Sequence, residues 1–164
     1  MTKKETGRGH LRVVENSAQK SQPGPQTYRL GQFSTMFDLT GKRALVIGGG
    51  GGIGGAIAHA FADFGARVAI ADLSLDAAQA IATSCQRDGV GFTVCRSMDV
   101  TNPDQINQVI GEIEAELDKI DILVNSAGIN IRRDVTDYTA EEWFRIINTN
   151  LSGNGRPNAK NGSY

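Results

Sequence analysis

The sequence predicts an α/β protein, a doubly wound parallel sheet with helices on both faces. Two observations carry that reading. Short runs rich in Val, Ile and Leu alternate with longer amphipathic stretches in the order βαβαβαβα, the order that right-handed crossovers turn into a parallel sheet. A glycine-dense segment, with seven of the 20 glycines between Gly48 and Gly55, falls at the first strand-to-helix junction. The remaining composition agrees: 164 residues at 40% apolar content are enough to bury a core.

The elements follow in order. Arg43–Ile47, Arg67–Ala71, Phe92–Ser97 and Asp121–Asn125 read as about four strands, several of them apolar without alternation, as strands covered on both faces are. Between them, Ile53, Ile57, Phe61 and Phe64 fall on one helical stripe, and Leu75, Ala78, Ala82 and Cys85 on a second. The third stripe, Ile106, Val109, Ile110, Ile113 and Leu117, is the clearest. Asn102 can cap that helix and Pro103 suits its first position. Thr139 followed by Glu142 is a capping-box pattern that opens a last helix through Trp143, Ile146 and Ile147.

Charge divides the chain. Residues 1–36 carry six Lys/Arg against two acids, the rest eleven against sixteen. The basic arm is poor in apolar residues and contains Pro23-Gly24-Pro25, so it reads as a disordered extension. Its composition also suits a mitochondrial transit peptide, but Glu5, Glu15 and the Pro/Gly break interrupt an amphipathic basic helix. The expected location is cytoplasmic, with mitochondria the alternative. A net charge of −1 and an arm without interleaved aromatics give no case for nucleic acid. Residues 44–62 are apolar enough to trip a membrane-span window, yet glycines break the run between a strand-like and a helix-like half, so no membrane segment is expected. Cys85 and Cys95 fit burial in a reducing compartment, and with His10 and His59 far apart no metal site is expected.

The glycine segment has a chemical reading. A diphosphate needs a tight turn, close backbone approach and free amides at a helix N-terminus, all of which side chains obstruct. Gly49, Gly51 and Gly54 are one of several registers that match G-x-G-x-x-G. Asp72 ends the second strand, 18 positions past Gly54, where a carboxylate accepts hydrogen bonds from an adenosine ribose and repels a 2′-phosphate. No Lys or Arg lies in the glycine run or directly after Asp72, so NAD is expected rather than NADP. The alternative role for Asp72 is that of a turn or capping aspartate.

With these motifs in place, the chain resembles the short-chain dehydrogenases/reductases over residues 37–153. Ile47 to Gly54 looks like the family's T-G-x-x-x-G-x-G loop, with Ile47 in place of Thr. Asp99-Val100-Thr101 resembles its adenine-contacting segment. Asn125-Ser126-Ala127-Gly128 resembles N-N-A-G, with Ser126 in place of the second Asn, and Asn148-Thr149-Asn150-Leu151 resembles the segment that ends in a catalytic Asn. The resemblance implies a Rossmann-like sheet in strand order 3-2-1-4. It implies a dinucleotide held by Gly48, Gly50, Gly51, Gly52, Ile53, Gly54, Asp72, Leu73, Asp99, Val100, Asn125, Ala127 and Gly128, with Asn150 in the proton relay. It further implies a homo-oligomer that moves a hydride between NAD and a small secondary alcohol or ketone. Phe37–Lys42 and Ala127–Arg133 look most like enzymes of polyols and sugar acids. Arg132 and Arg133 read as a solvated loop pair, or alternatively as ligands of a substrate carboxylate.

The family's catalytic Tyr-x-x-x-Lys is found nowhere in these 164 residues, and residues 154–164 read as an irregular polar tail. The expectation is therefore the front part of such an enzyme, a dinucleotide-binding unit that lacks catalysis, with Met36 as a candidate natural start. The other reading is a non-catalytic dinucleotide-binding fragment with a regulatory role.

Overall fold

The computed structural model describes residues 36–86 and 93–155. Four parallel strands, β1 (Arg43–Ile47), β2 (Arg67–Asp72), β3 (Thr93–Ser97) and β4 (Ile122–Asn125), form one sheet in the order β3-β2-β1-β4. The strand order implied by the resemblance is the one observed. Register keeps the carboxyl ends level: Ile47 lies opposite both Ala71 and Asn125, and Asp72 opposite Ser97. All four following loops thus open on the same edge of the sheet. The central strands explain the unbroken apolar runs, because Ala44–Ile47 and Val68–Ala71 are fully buried between two helical layers.

Alternation along the strands divides the core in two. Leu45, Ile47, Ala69 and Ala71 face α3 (Pro103–Leu117), which buries all five residues of its predicted stripe. Asn102 caps it as expected, its Oδ1 accepting from the Asp104 and Gln105 amides at 3.1 and 3.2 Å. Val46, Val68 and Ile70 face α1 (Gly52–Asp63) and α2 (Leu75–Gln86) on the other side. Within that layer burial pushes the Cys85 thiol pKa up, helped by the charge of Asp63, so Cys85 behaves as a small apolar residue.

Two helix faces differ from the periodicity reading. On α1 the buried residues are Gly54, Gly55, Ala58 and Ala62; Ile57 and Phe61 are only half-buried, while Ile53 is 76% and Phe64 44% exposed. The small-residue stripe wins because α1 starts directly against the end of β1, where no large side chain fits. On α2, Ala78, Ala82 and Cys85 are buried as predicted, but Leu75 sits at the exposed first turn.

Past β4 the chain makes a 3₁₀ turn (Val135–Asp137), then α4 (Ala140–Ile147), then a π-helical turn (Asn148–Gly153). The capping box on α4 is formed in full: Glu142 N donates to Thr139 Oγ1 at 3.1 Å, and Thr139 N donates back to Glu142 Oε2 at 3.1 Å. Trp143 is 55% exposed, and no residue of α4 is buried. An irregular tail is expected from residue 154, but the backbone is helical at Asn154 and Gly155. Two bonds hold it there: Asn154 Nδ2 donates to the Asn150 carbonyl at 2.5 Å, and Asn125 Nδ2 donates to the Asn154 carbonyl at 3.3 Å. The expectations for residues 1–35, for Phe92 and for 156–164 lie outside the described residues. Residues 44–62 divide into β1, a loop and α1, and no helix among the described residues is long and apolar enough to cross a membrane.

Candidate functional site

A cleft of about 770 Å³ opens at the carboxyl ends of the four strands, where open parallel sheets bind their ligands. Its floor is the glycine loop. The Gly48 and Gly49 amides both donate to the Ala71 carbonyl, at 2.7 and 3.3 Å, which ties the loop to β2. Gly48 has φ +72°, and a Cβ there would come within 2.5 Å of the Ala127 amide nitrogen. A Cβ at Gly54 would overlap the Gly48 carbonyl oxygen. These two glycines let the first turn of α1, the end of β1 and the loop after β4 meet.

Gly51 and Gly52 are different. A Cβ at either would meet nothing within 4 Å, so both leave room in the cleft; at Gly51 the fold makes no demand of its own, whereas Gly52 also has a φ of +51° that favours glycine. Gly51 is the N-cap of α1, no side chain caps it, and no acid occupies the first turn. The first intrahelical bond closes from the Gly55 amide to the Gly51 carbonyl at 3.1 Å. The amides of Gly52, Ile53 and Gly54 therefore have no helical partner, and with the helix dipole they present a positive end to the cleft.

The next two strand ends supply carboxylates. Asp72 Oδ2 accepts from the Gly50 amide at 2.9 Å and Oδ1 from the Ser74 amide at 3.0 Å. The turn-forming role and a place on the cleft wall thus coexist in one residue. After β3, Asp99 Oδ1 accepts from the Thr101 amide and hydroxyl at 2.8 and 2.7 Å, and the Asp99 amide donates to Gln105 Oε1 at 2.9 Å.

After β4, two asparagines hold the wall from behind. Asn125 Oδ1 accepts from the Ala127 amide at 3.2 Å. Asn150 reads both sides of one residue's backbone, accepting from Ile129 N at 2.8 Å and donating to Ile129 O at 2.9 Å. Gly128 packs beside it; a Cβ there would lie 3.4 Å from Asn150 Oδ1. Nearby, Arg133 pairs with Glu142 at 2.8 Å, while Arg132 is exposed.

Eleven of the thirteen residues expected at a cofactor line the cleft: Gly48, Gly50, Gly51, Gly52, Ile53, Asp72, Leu73, Asp99, Val100, Ala127 and Gly128. Gly54 and Asn125, and the expected catalytic Asn150, stand behind that lining. Sequence reasoning missed Ala77 and Met98, which border the strand ends, and Arg145 and Thr149 on the last helical segment. The signal for the last pair was their four-residue separation, which places them on one face.

The model of the family described as short chain dehydrogenase matches residues 42–155, more than half of the chain. The chain belongs to the short-chain dehydrogenase family. It is 38% identical over 117 residues to a short chain dehydrogenase/reductase of Macrophomina phaseolina, covering 71% of this chain and 67% of that one. It is 35% identical over 115 residues to an uncharacterized oxidoreductase of Staphylococcus aureus, covering 70% of this chain and 48% of that one. Among solved structures, a short-chain type dehydrogenase/reductase from Mycobacterium marinum superposes with a TM-score of 0.73 at 39% identity, over 76% of this chain and 50% of that chain. A hydroxysteroid dehydrogenase from Escherichia coli gives 0.71 at 30% identity, over 77% and 53%. The chain thus spans about half the length of most of these proteins. The family binds NAD or NADP, and the matched region is the part that carries the sheet and the cleft.

Proposed function

We propose that this chain holds NAD in the cleft and forms the dinucleotide-binding part of an oxidoreductase. The observation that carries the reading is the open cradle at Gly51 and Gly52, over the uncompensated amino end of α1 and beside an oriented Asp72. That cradle fits a diphosphate, because it offers backbone amides, positive potential and space, with no side chain in the way. Asp72, held by Gly50 and Ser74, presents its carboxylate to the adenosine ribose and disfavours a 2′-phosphate there. Leu73, Asp99 and Val100 border the base, and Ala127 and Gly128 the second nucleotide, with Asn150 fixing the loop that carries them.

Bound there, NAD supplies the hydride acceptor for oxidation of a secondary alcohol. Polyols and sugar acids are the proposed substrate class, on the likeness of residues 37–42 and 127–133 to enzymes of those compounds. Hydride transfer is proposed for the whole protein, as is a homo-oligomeric, cytoplasmic state. What these residues do is bind and orient the dinucleotide. The proposed domain is residues 37–153.

The test compares NADH and NADPH binding by fluorescence titration, followed by turnover on a panel of polyols. Asp72→Ala is expected to narrow the preference for NADH by about tenfold, the scale of one charged contact. An unchanged ratio would refute the role of Asp72. Binding without turnover would assign this chain to nucleotide binding alone.

A further inference from the structure

Arg145 has no part in the reading above, yet it lines the cleft. It is the one basic residue among the lining residues, and no ion pair found among the described residues uses it. A basic residue in the last turn of α4 complements the helix dipole, but that role does not require it to face a cleft.

The placement of its helix gives Arg145 a neighbourhood. Arg145, Thr149 and Gly153 follow one another at four-residue steps, so they form one stripe. Gly153, at the far end, is buried against Val100, where a Cβ would lie 2.9 Å from Val100 Cγ2. Thr149 and Arg145 both line the cleft. The segment after β4 therefore reaches back across the cleft toward the end of β3.

Strand order then sets what lies at that end. The proposed diphosphate cradle is at the end of β1 and the ribose carboxylate at the end of β2, the next strand over. Strands stand about 4.8 Å apart, so a nucleotide running from β1 past β2 carries its base toward β3. Met98, Asp99 and Val100 line the cleft there, and Arg145 and Thr149 line it from the segment after β4. A planar guanidinium with no carboxylate partner among the described residues is suited to lie over a purine ring.

We propose that Arg145 is a specificity-determining residue that closes the base end of the nucleotide site by stacking its guanidinium on the adenine. The proposal rests on the dinucleotide reading of the cleft and deepens it. Its test titrates wild type and Arg145→Ala with NADH, NADPH, ADP-ribose and reduced nicotinamide mononucleotide, which lacks the adenine. Arg145→Ala is expected to weaken NADH and ADP-ribose by the same factor, roughly two- to thirtyfold. The mononucleotide is expected to bind both proteins equally, which a general loss of folding would not produce. Unchanged NADH affinity, or an equal loss for the mononucleotide, would overturn the proposal. A larger loss for NADPH than for NADH would overturn it too, by assigning Arg145 to a phosphate. Failure of wild type to bind any dinucleotide would instead overturn the reading of the cleft.

Discussion

Two glycines at the start of α1, Gly51 and Gly54, separate what the fold needs from what the ligand needs. At Gly54 an added methyl overlaps the Gly48 carbonyl oxygen, a backbone atom that cannot rotate aside. Alanine gains about 1 kcal/mol in helix propensity, but overpacking of this kind costs up to about 3 kcal/mol. The net is a destabilisation of about 2 kcal/mol, or about 4–8 °C in the melting temperature of a chain this long. At Gly51 the methyl meets nothing within 4 Å, and the backbone is extended at φ −177°. Losing a glycine N-cap and restricting the unfolded chain are opposed effects of about 0.5–1 kcal/mol each that largely cancel, so the melt should move by less than about 2 °C. The same methyl fills the proposed diphosphate cradle, and NADH affinity should fall by about tenfold or more, at least about 1.4 kcal/mol. Thermal melts and fluorescence titrations of the two variants read the two effects separately. A Gly51→Ala protein that binds NADH as tightly as wild type would refute the cradle. A Gly54→Ala protein that melts with wild type would refute the packing argument.

Other outcomes follow from local geometry. Asn102→Ala removes the cap that satisfies two amides of α3, the one helix covering its face of the sheet among the described residues, and should cost about 1 kcal/mol in a denaturant titration. Glu142 is held below the usual carboxylate range, first by the Thr139 backbone amide, against some desolvation, and by Arg133. A depressed folded pKa means that its contribution is present above the unfolded value of about 4.3 and is lost as pH falls through the lower folded value. Amide-exchange protection at the start of α4 should therefore drop between about pH 5 and pH 2, and Glu142→Gln should remove the pH step. Protection in wild type that is flat across that window would contradict the capping-box role.

The sequence was most legible where one physical signal dominated. In α3 a cap, a proline and five bulky apolar residues agreed, and all five are buried. The unbroken apolar runs of β1 and β2 similarly reflect burial on both faces. Periodicity failed in α1 because it weights bulky residues, whereas close approach to the strand end favours Gly54, Ala58 and Ala62. At the site, residues at strand ends were readable because chain topology alone puts them on one edge. Arg145 and Thr149 were not, because a helix pattern says which residues share a face but not which way that face turns. For the same reason the two-bond grip of Asn150 on Ile129, 21 positions away, is a product of tertiary structure.

The central claim is that the cleft at the strand ends holds a dinucleotide. Titration of this chain with NADH, followed by nicotinamide fluorescence while circular dichroism confirms the fold, tests it most directly. The account predicts saturable binding of one NADH per chain, with half-saturation between about 1 μM and 1 mM, weakened about tenfold or more by Gly51→Ala. A folded chain that shows no saturable binding up to about 1 mM NADH would contradict it.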